Sequence, residues 1–177
     1  MNNLKYYKMY QNVKEPYFAT LQSACFDVHA YFGNTHEQII KCYTKDNTLT
    51  SKVAVKDSQQ SEAESLTVNP GDRVLIPTGL ILDIPLGYSV RVHSRSGTAL
   101  KNGLSLTNNE GIIDSDYVEQ LYIMITNTTN IPVKINSGDR IAQLEMIESL
   151  AYNLEPIDSK PSVKTSRNGG FGSTGVR

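Results

Sequence analysis

The stretch NNEGIIDSDY, residues 108–117, gathers side chains suited to chemistry. Asp114 and Asp116 bracket Ser115, and Tyr117 follows at once. Strand alternation puts the two carboxylates on one face and the ring on the other unless the chain bends. A carboxylate beside a tyrosine can take a proton from water as a general base, next to a flat wall for a sugar or base ring. The same composition also makes turns, because Asn, Asp, Ser and Gly satisfy backbone groups locally. The residues alone leave both readings open.

Four other places join it, two of them fit for handling phosphate. HSRSGTAL, residues 93–100, puts Arg95, Ser96 and Gly97 directly after a strand. A guanidinium, hydroxyls and a permissive backbone make a phosphate nest, though so short a string also arises by chance. His93 has no evident partner and reads as a strand-end packing residue. Near the C-terminus, GGFGSTG (169–175) sets Phe171 among glycines, with Ser173 and Thr174 behind it and Arg167 and Arg177 on either side. Such a segment is either a flexible tail or an arm that closes on a phosphorylated ligand, with Phe171 as lid over its apolar part. Gln143 interrupts the apolar run DRIAQLEM, and Asp27 stands among apolar neighbours in SACFDVHAY, where a buried acid must find a partner.

These residues have to be held by strands. VLIPTGLILDIP (74–85), GYSVRVHS (87–94), YIMITN (122–127), IPVKI (131–135) and DRIAQLEMI (139–147) are short, β-branched and bounded by Gly, Pro and Asp. That spacing predicts an all-β sandwich or barrel. Gly-Asp-Arg occurs at 71–73 and at 138–140, each time as a turn entering a strand. Residues 34–66 are polar with brief apolar pairs, and read as an excursion from the barrel ending in a solvated loop. The expected organisation is a β-barrel over 1–160 and a C-terminal arm over 161–177, an arm long enough to lie across another copy of the chain.

Composition narrows the function. Seventeen basic and eighteen acidic residues leave a formal charge of −1, without the basic surplus that wraps nucleic acid. Cys25 and Cys42 are the only cysteines, which supports neither a disulfide framework nor a zinc site. No apolar run approaches the ~18 residues of a membrane span, and the N-terminus lacks a signal-type apolar core. The expected setting is the cytoplasm, without membrane or nucleic-acid partners.

In order along the chain, ACFDV, SRSG, GIIDSDY, GDRIAQ and GGFGSTG resemble the five ordered motifs of the homotrimeric dUTP nucleotidohydrolase family. The likeness runs from about residue 16 to the C-terminus, apart from 34–66. It implies a distorted jelly-roll β-barrel, three chains per enzyme, and active sites at subunit contacts. It implies hydrolysis of dUTP to dUMP and pyrophosphate, with Mg2+ held mainly by the triphosphate and water. By matching positions, Asp114 holds the attacking water and acts as general base, and Tyr117 packs on the deoxyribose and rejects a 2′-hydroxyl. Backbone from Asn108 through Gly111 to Ile113 reads the uracil edge. Arg95, Ser96, Gly97 and Gln143 contact the phosphates, with Asp27 in support. Phe171 stacks on the uracil while Gly172, Ser173, Thr174 and the displaced Arg167 meet phosphate.

The chain departs from the family pattern at four places. Cys25 and Glu119 stand where glycine is usual, Ser94 where proline is, and Ser166 where the fifth motif's arginine is, with Arg167 one place later. Two alternatives share the barrel: a dCTP deaminase, alone or combined with the hydrolase, and a regulatory binding protein. For the latter, 34–66 offers a surface to an unidentified protein partner.

Overall fold

Short β-branched runs become strands here, and glycines at positive φ make several of the turns between them. A computed structural model describes residues 3–33, 39–57 and 61–166. In chain order the first strands are β1 (Lys5–Lys8), β2 (Tyr17–Phe18), β3 (Phe26–His29), β4 (Ile39–Tyr43) and β5 (Leu49–Val53). They are followed by β6 (Val55–Asp57), β7 (Ser61–Val68), β8 (Arg73–Pro77), β9 (Leu80–Asp83) and β10 (Tyr88–His93). A short helix, α1 (Ser96–Asn102), precedes β11 (Leu104–Leu106), β12 (Gly111–Ile113), β13 (Tyr122–Asn127), β14 (Val133–Asn136) and β15 (Arg140–Glu148).

One sheet has the order β12-β10-β15-β3-β2 and a second the order β11-β13-β8-β4-β5. A three-stranded sheet, β14-β7-β6, and the pair β1-β9 complete the described residues. All these pairings are antiparallel, and many join strands far apart in sequence, as β15 with β3. The strands alternate: Ile123, Ile125 and Asn127 of β13 point inward while Tyr122 and Met124 point out. Inward residues of both large sheets, such as Val28, Val90 and Leu144 with Ile40, Val74, Ile76 and Ile123, share one apolar core. Each such side chain contributes about 1.5–3 kcal/mol on burial, which binds the sheets into one all-β body of jelly-roll type.

The repeated Gly-Asp-Arg behaves as its sequence predicts. Gly71 and Gly138 both take positive φ, +76° and +88°, and β8 and β15 begin at the arginines that follow. Asp72 of the first turn is buried and accepts a 2.7 Å hydrogen bond from Lys52 Nζ, which also donates to the Thr67 carbonyl.

Residues 34–66 correct the sequence reading. Their described part is strand: β4 and β5 form a hairpin whose first strand pairs with β8, and β7 pairs with β14. Ile40 and Cys42 reach the core, and Glu64 and Ser65 are buried. The polar average of this stretch concealed a period-two pattern, because every second residue of β4 faces out and one of those is Lys41. Helix α1 was also not foreseen. Ser149 to Ser166 run exposed with no strand or helix, and residues 167–177 lie outside the described residues.

Burial works against ionised Asp72, but the hydrogen bond and charge of Lys52 outweigh it and hold the carboxyl below its usual range. A group with a depressed folded pKa stabilises above its unfolded value of about 3.9, and that stability is lost as pH falls through the folded value. Asp72→Asn should flatten the acid limb of the stability profile. It should also cost roughly 3 kcal/mol at neutral pH, because Lys52 is left without its counter-charge. Urea unfolding across pH at one protein concentration measures both; an unchanged acid limb would count against this assignment.

Candidate functional site

β12 is the outer strand of its sheet, bonded on one side to β10. It is reached through a tight loop in which Asn109 takes φ +58° and the Glu110 N–H bonds the Asn108 carbonyl at 2.6 Å. Glu110 ties that loop to β10 through Arg91 at 3.7 Å and His93 at 3.9 Å. Gly111 packs closely on β10: a Cβ there would sit 3.0 Å from the Val92 Cβ, a crowded contact. β12 forms one wall of a cavity of about 280 Å³, and Asn108, Asp114 and Tyr117 stand along it.

The two readings of IIDSDY turn out to be compatible. After Ile113 the chain leaves the strand, and the Tyr117 N–H bonds back to the Asp114 carbonyl at 3.2 Å. That turn brings the tyrosine and the Asp114 carboxylate onto one cavity, where an unbroken strand would have separated them. The Tyr117 hydroxyl donates to the Gln120 carbonyl at 2.8 Å. Burial, reinforced by Glu119, pushes its pKa up, so the phenol stays neutral and keeps its proton to donate.

A second cluster forms around Asp27, which is 6% exposed at the middle of β3. One carboxylate oxygen accepts from Arg95 Nε at 2.8 Å and the other from Arg140 Nη1 at 2.9 Å. Gln143 lies between Asp27 and His93 across three neighbouring strands. Ser96 and Gly97 open α1 beside Arg95. His29, two residues from Asp27, stacks on Tyr17 and keeps an Nδ1 without a hydrogen-bond partner among the described residues. Burial, then Lys14, lowers its pKa and favours the neutral ring. His93 corrects the sequence reading: it is paired, with Nε2 3.1 Å from Glu145 and Nδ1 near Glu110.

The structure therefore sorts the expected site residues into three groups. Asn108, Gly111, Ile113, Asp114 and Tyr117 line one cavity. Asp27, Arg95, Ser96, Gly97 and Gln143 belong to the sheet and helix around the ion pairs, and none of them lines that cavity. Arg167, Phe171, Gly172, Ser173 and Thr174 lie outside the described residues. Sequence reasoning passed over Arg140, although it sits three residues before Gln143 in GDRIAQ. It also passed over Gln120 and Tyr122, whose contacts with the Tyr117 loop carry no sequence signature. Among the described residues no three His, Cys, Asp or Glu side chains converge as a metal cage would require. No helix among them is long and apolar enough to cross a membrane.

Comparison with known proteins bears on these groups. A family model described as dUTPase matches residues 61–175. A deoxyuridine 5′-triphosphate nucleotidohydrolase of Wolbachia pipientis (subsp. Culex pipiens, strain wPip) is 39% identical over 140 residues, 77% of this chain and 86% of that one. One from Bdellovibrio bacteriovorus is 40% identical over 119 residues, 67% of this chain and 79% of that one. Among solved structures, Staphylococcus bacteriophage 80alpha dUTPase with dUPNHPP aligns with a TM-score of 0.71, covering 99% of this chain and 100% of that one. Its 21% sequence identity makes this a likeness of fold.

The Asp27 cluster yields a direct test. Asp27→Asn keeps the shape but leaves two guanidinium groups facing an amide. We expect a loss of about 2 kcal/mol in unfolding free energy, below the 3–5 of a fully buried pair because the Arg140 side chain is 41% exposed. Chemical denaturation against the unchanged protein checks this, and a loss under about 0.5 kcal/mol, the range of a surface pair, would contradict it.

Proposed function

The chain belongs to the dUTPase family, and on that premise we propose that it cleaves dUTP to dUMP and pyrophosphate through Asp114. Asp114 takes a proton from a water as the water oxygen bonds the α-phosphorus. The bond from that phosphorus to the α–β bridging oxygen breaks, and pyrophosphate leaves. The observation that carries this reading is the turn that places Asp114 and Tyr117 together on the cavity beside β12. As an outer strand, β12 keeps one row of backbone donors and acceptors free of its sheet, which suits the edge of a uracil. Tyr117 packs on the deoxyribose and leaves no space for a 2′-hydroxyl.

Arg95, Ser96, Gly97 and Gln143 take the triphosphate, with Asp27 orienting Arg95. Phe171, Gly172, Ser173, Thr174 and Arg167 close over it. In one chain none of the Asp27 cluster lines the cavity, which supports a site completed by other copies of the chain in a homotrimer. A magnesium ion would be held mainly by the triphosphate oxygens, and Asp114 is the one carboxylate among the described residues lining the cavity. When bound it would neutralise phosphate charge. The physiological result is removal of dUTP from the precursors of DNA and supply of dUMP for thymidylate synthesis, in the cytoplasm.

Pyrophosphate release from a panel of dUTP, UTP, dCTP and dTTP with Mg2+ tests the reading. Only dUTP should turn over well, and ammonia release from dCTP would replace the reading with a deaminase. Asp114→Asn should lower kcat by roughly 10²–10⁴-fold with nucleotide binding largely kept. Deleting 166–177 should cripple turnover while the remaining protein stays folded, since the deleted stretch holds little apolar surface besides Phe171. Full activity after that deletion would end the lid role.

A further inference from the structure

We infer that Gln120 is a positioning residue for sugar discrimination, clamping the Tyr117 ring to the turn at Thr78–Leu80. The inference rests on the proposed role of Tyr117 as the wall against a 2′-hydroxyl. Tyr117 belongs to an irregular stretch between β12 and β13, with 38% of its surface exposed. A ring in such a stretch excludes a hydroxyl only if it cannot yield. An apolar pocket by itself rejects an added hydroxyl by about 10²-fold, so stronger rejection needs a rigid wall.

The rigidity comes from residues 120–122. The Tyr117 hydroxyl donates to the backbone carbonyl of Gln120. The Gln120 side chain is nearly buried, and its Oε1 accepts the Gly79 N–H at 3.2 Å. A backbone N–H can only donate, so that contact fixes which end of the amide is oxygen. Nε2 therefore donates to the Tyr122 hydroxyl, at 2.6 Å. One residue on, the Leu121 carbonyl accepts from both the N–H and the hydroxyl of Thr78, and the Leu121 N–H donates to Leu80 at 2.7 Å.

The turn on the far side of these bonds is itself closely packed. Gly79 takes φ +70°, and a Cβ there would lie 2.5 Å from Val13 Cγ2 in the core. The ring is thus tied by its hydroxyl to Gln120, which is joined to the β8–β9 turn through its own side chain and through the backbone of its neighbour Leu121. Tyr122 closes the loop by lining the same cavity as Tyr117. Gln120 does not line the cavity, so its effect on the sugar runs through Tyr117.

The test compares kcat/KM for UTP and dUTP in the full-length protein and in Tyr117→Ala, Gln120→Ala and Tyr122→Phe. Tyr122→Phe keeps the cavity-lining ring and removes only the acceptor of Gln120 Nε2, so it decides the matter if Gln120→Ala fails to fold. We expect the UTP/dUTP ratio to rise about tenfold in Gln120→Ala and several-fold in Tyr122→Phe, the size of one or two lost hydrogen bonds. For dUTP, KM should rise more than kcat falls, a split that general destabilisation would not give. A ratio that rises in Tyr117→Ala but stays fixed in the other two overturns the clamp and leaves the wall standing. A ratio unmoved in Tyr117→Ala overturns the wall, and the clamp with it.

Discussion

A carboxylate in the middle of a buried strand is the constraint on which the region proposed to take phosphate depends. All four residues of β3 are buried, and Asp27 is one of them. An ionised acid there costs several kcal/mol unless charged donors meet it. Two guanidinium groups do, one on each oxygen, and they come from different parts of the chain: Arg95 follows β10, and Arg140 opens β15. One carboxylate thereby sets the mutual position of three segments that sequence alone places 68 and 45 residues apart. Two positive charges against one negative charge also leave the cluster with a surplus of one. Lys14, whose ammonium bonds the Gly138 carbonyl two residues before Arg140, adds to it. A neighbourhood of this sign suits a polyanion without requiring a basic protein.

The other half of the site depends on backbone more than on charge. β12 is three residues long, keeps a free edge, and is pressed against Val92 at Gly111, where an added Cβ would be crowded. Its loop is pinned through Glu110 to Arg91 and His93, so the polar row that precedes the cavity is fixed from the same strand, β10, that leads into Arg95. The two halves thus share β10, although no residue of the Asp27 cluster lines the cavity. In the proposed trimer, a site built from more than one copy would inherit the rigidity of both.

Much of the architecture was legible in the sequence because turn chemistry and β-branched runs speak locally. Gly71 and Gly138 announce left-handed turns, and the strands after them begin where Gly-Asp-Arg ends. What stayed hidden was nonlocal. Residues 39–53 look polar on average, yet Ile40 and Cys42 reach the core because β8 supplies the partner strand. His93 looked solitary because its carboxylate partners are brought by β15 and by the loop before β12. The same holds for Gln120, whose amide meets a glycine forty-one residues away. Asp114 and Tyr117 were found as residue types, but their shared cavity exists only through a bend that the composition allowed without specifying.

The departures from the family pattern become intelligible once the local geometry is known. Ser94 stands where proline is usual, and its hydroxyl accepts the Leu106 N–H at 2.9 Å, replacing a ring's stiffness with a bond to β11. Glu119 stands where glycine is usual. Among the described residues only Asn47 and Asn109 take positive φ without being glycine, so the backbone at 119 asks for no glycine. Its charge instead helps keep the nearby phenol of Tyr117 protonated, and a neutral phenol is what the bond to Gln120 needs. Cys25 is half-buried, and burial together with Glu145 and Asp27 pushes its thiol up, so it meets the Asp27 cluster as a small neutral group. Ser94, Glu119 and Cys25 thus each fit their surroundings by a different physical means: a hydroxyl bond, a charge beside a phenol and a neutral thiol.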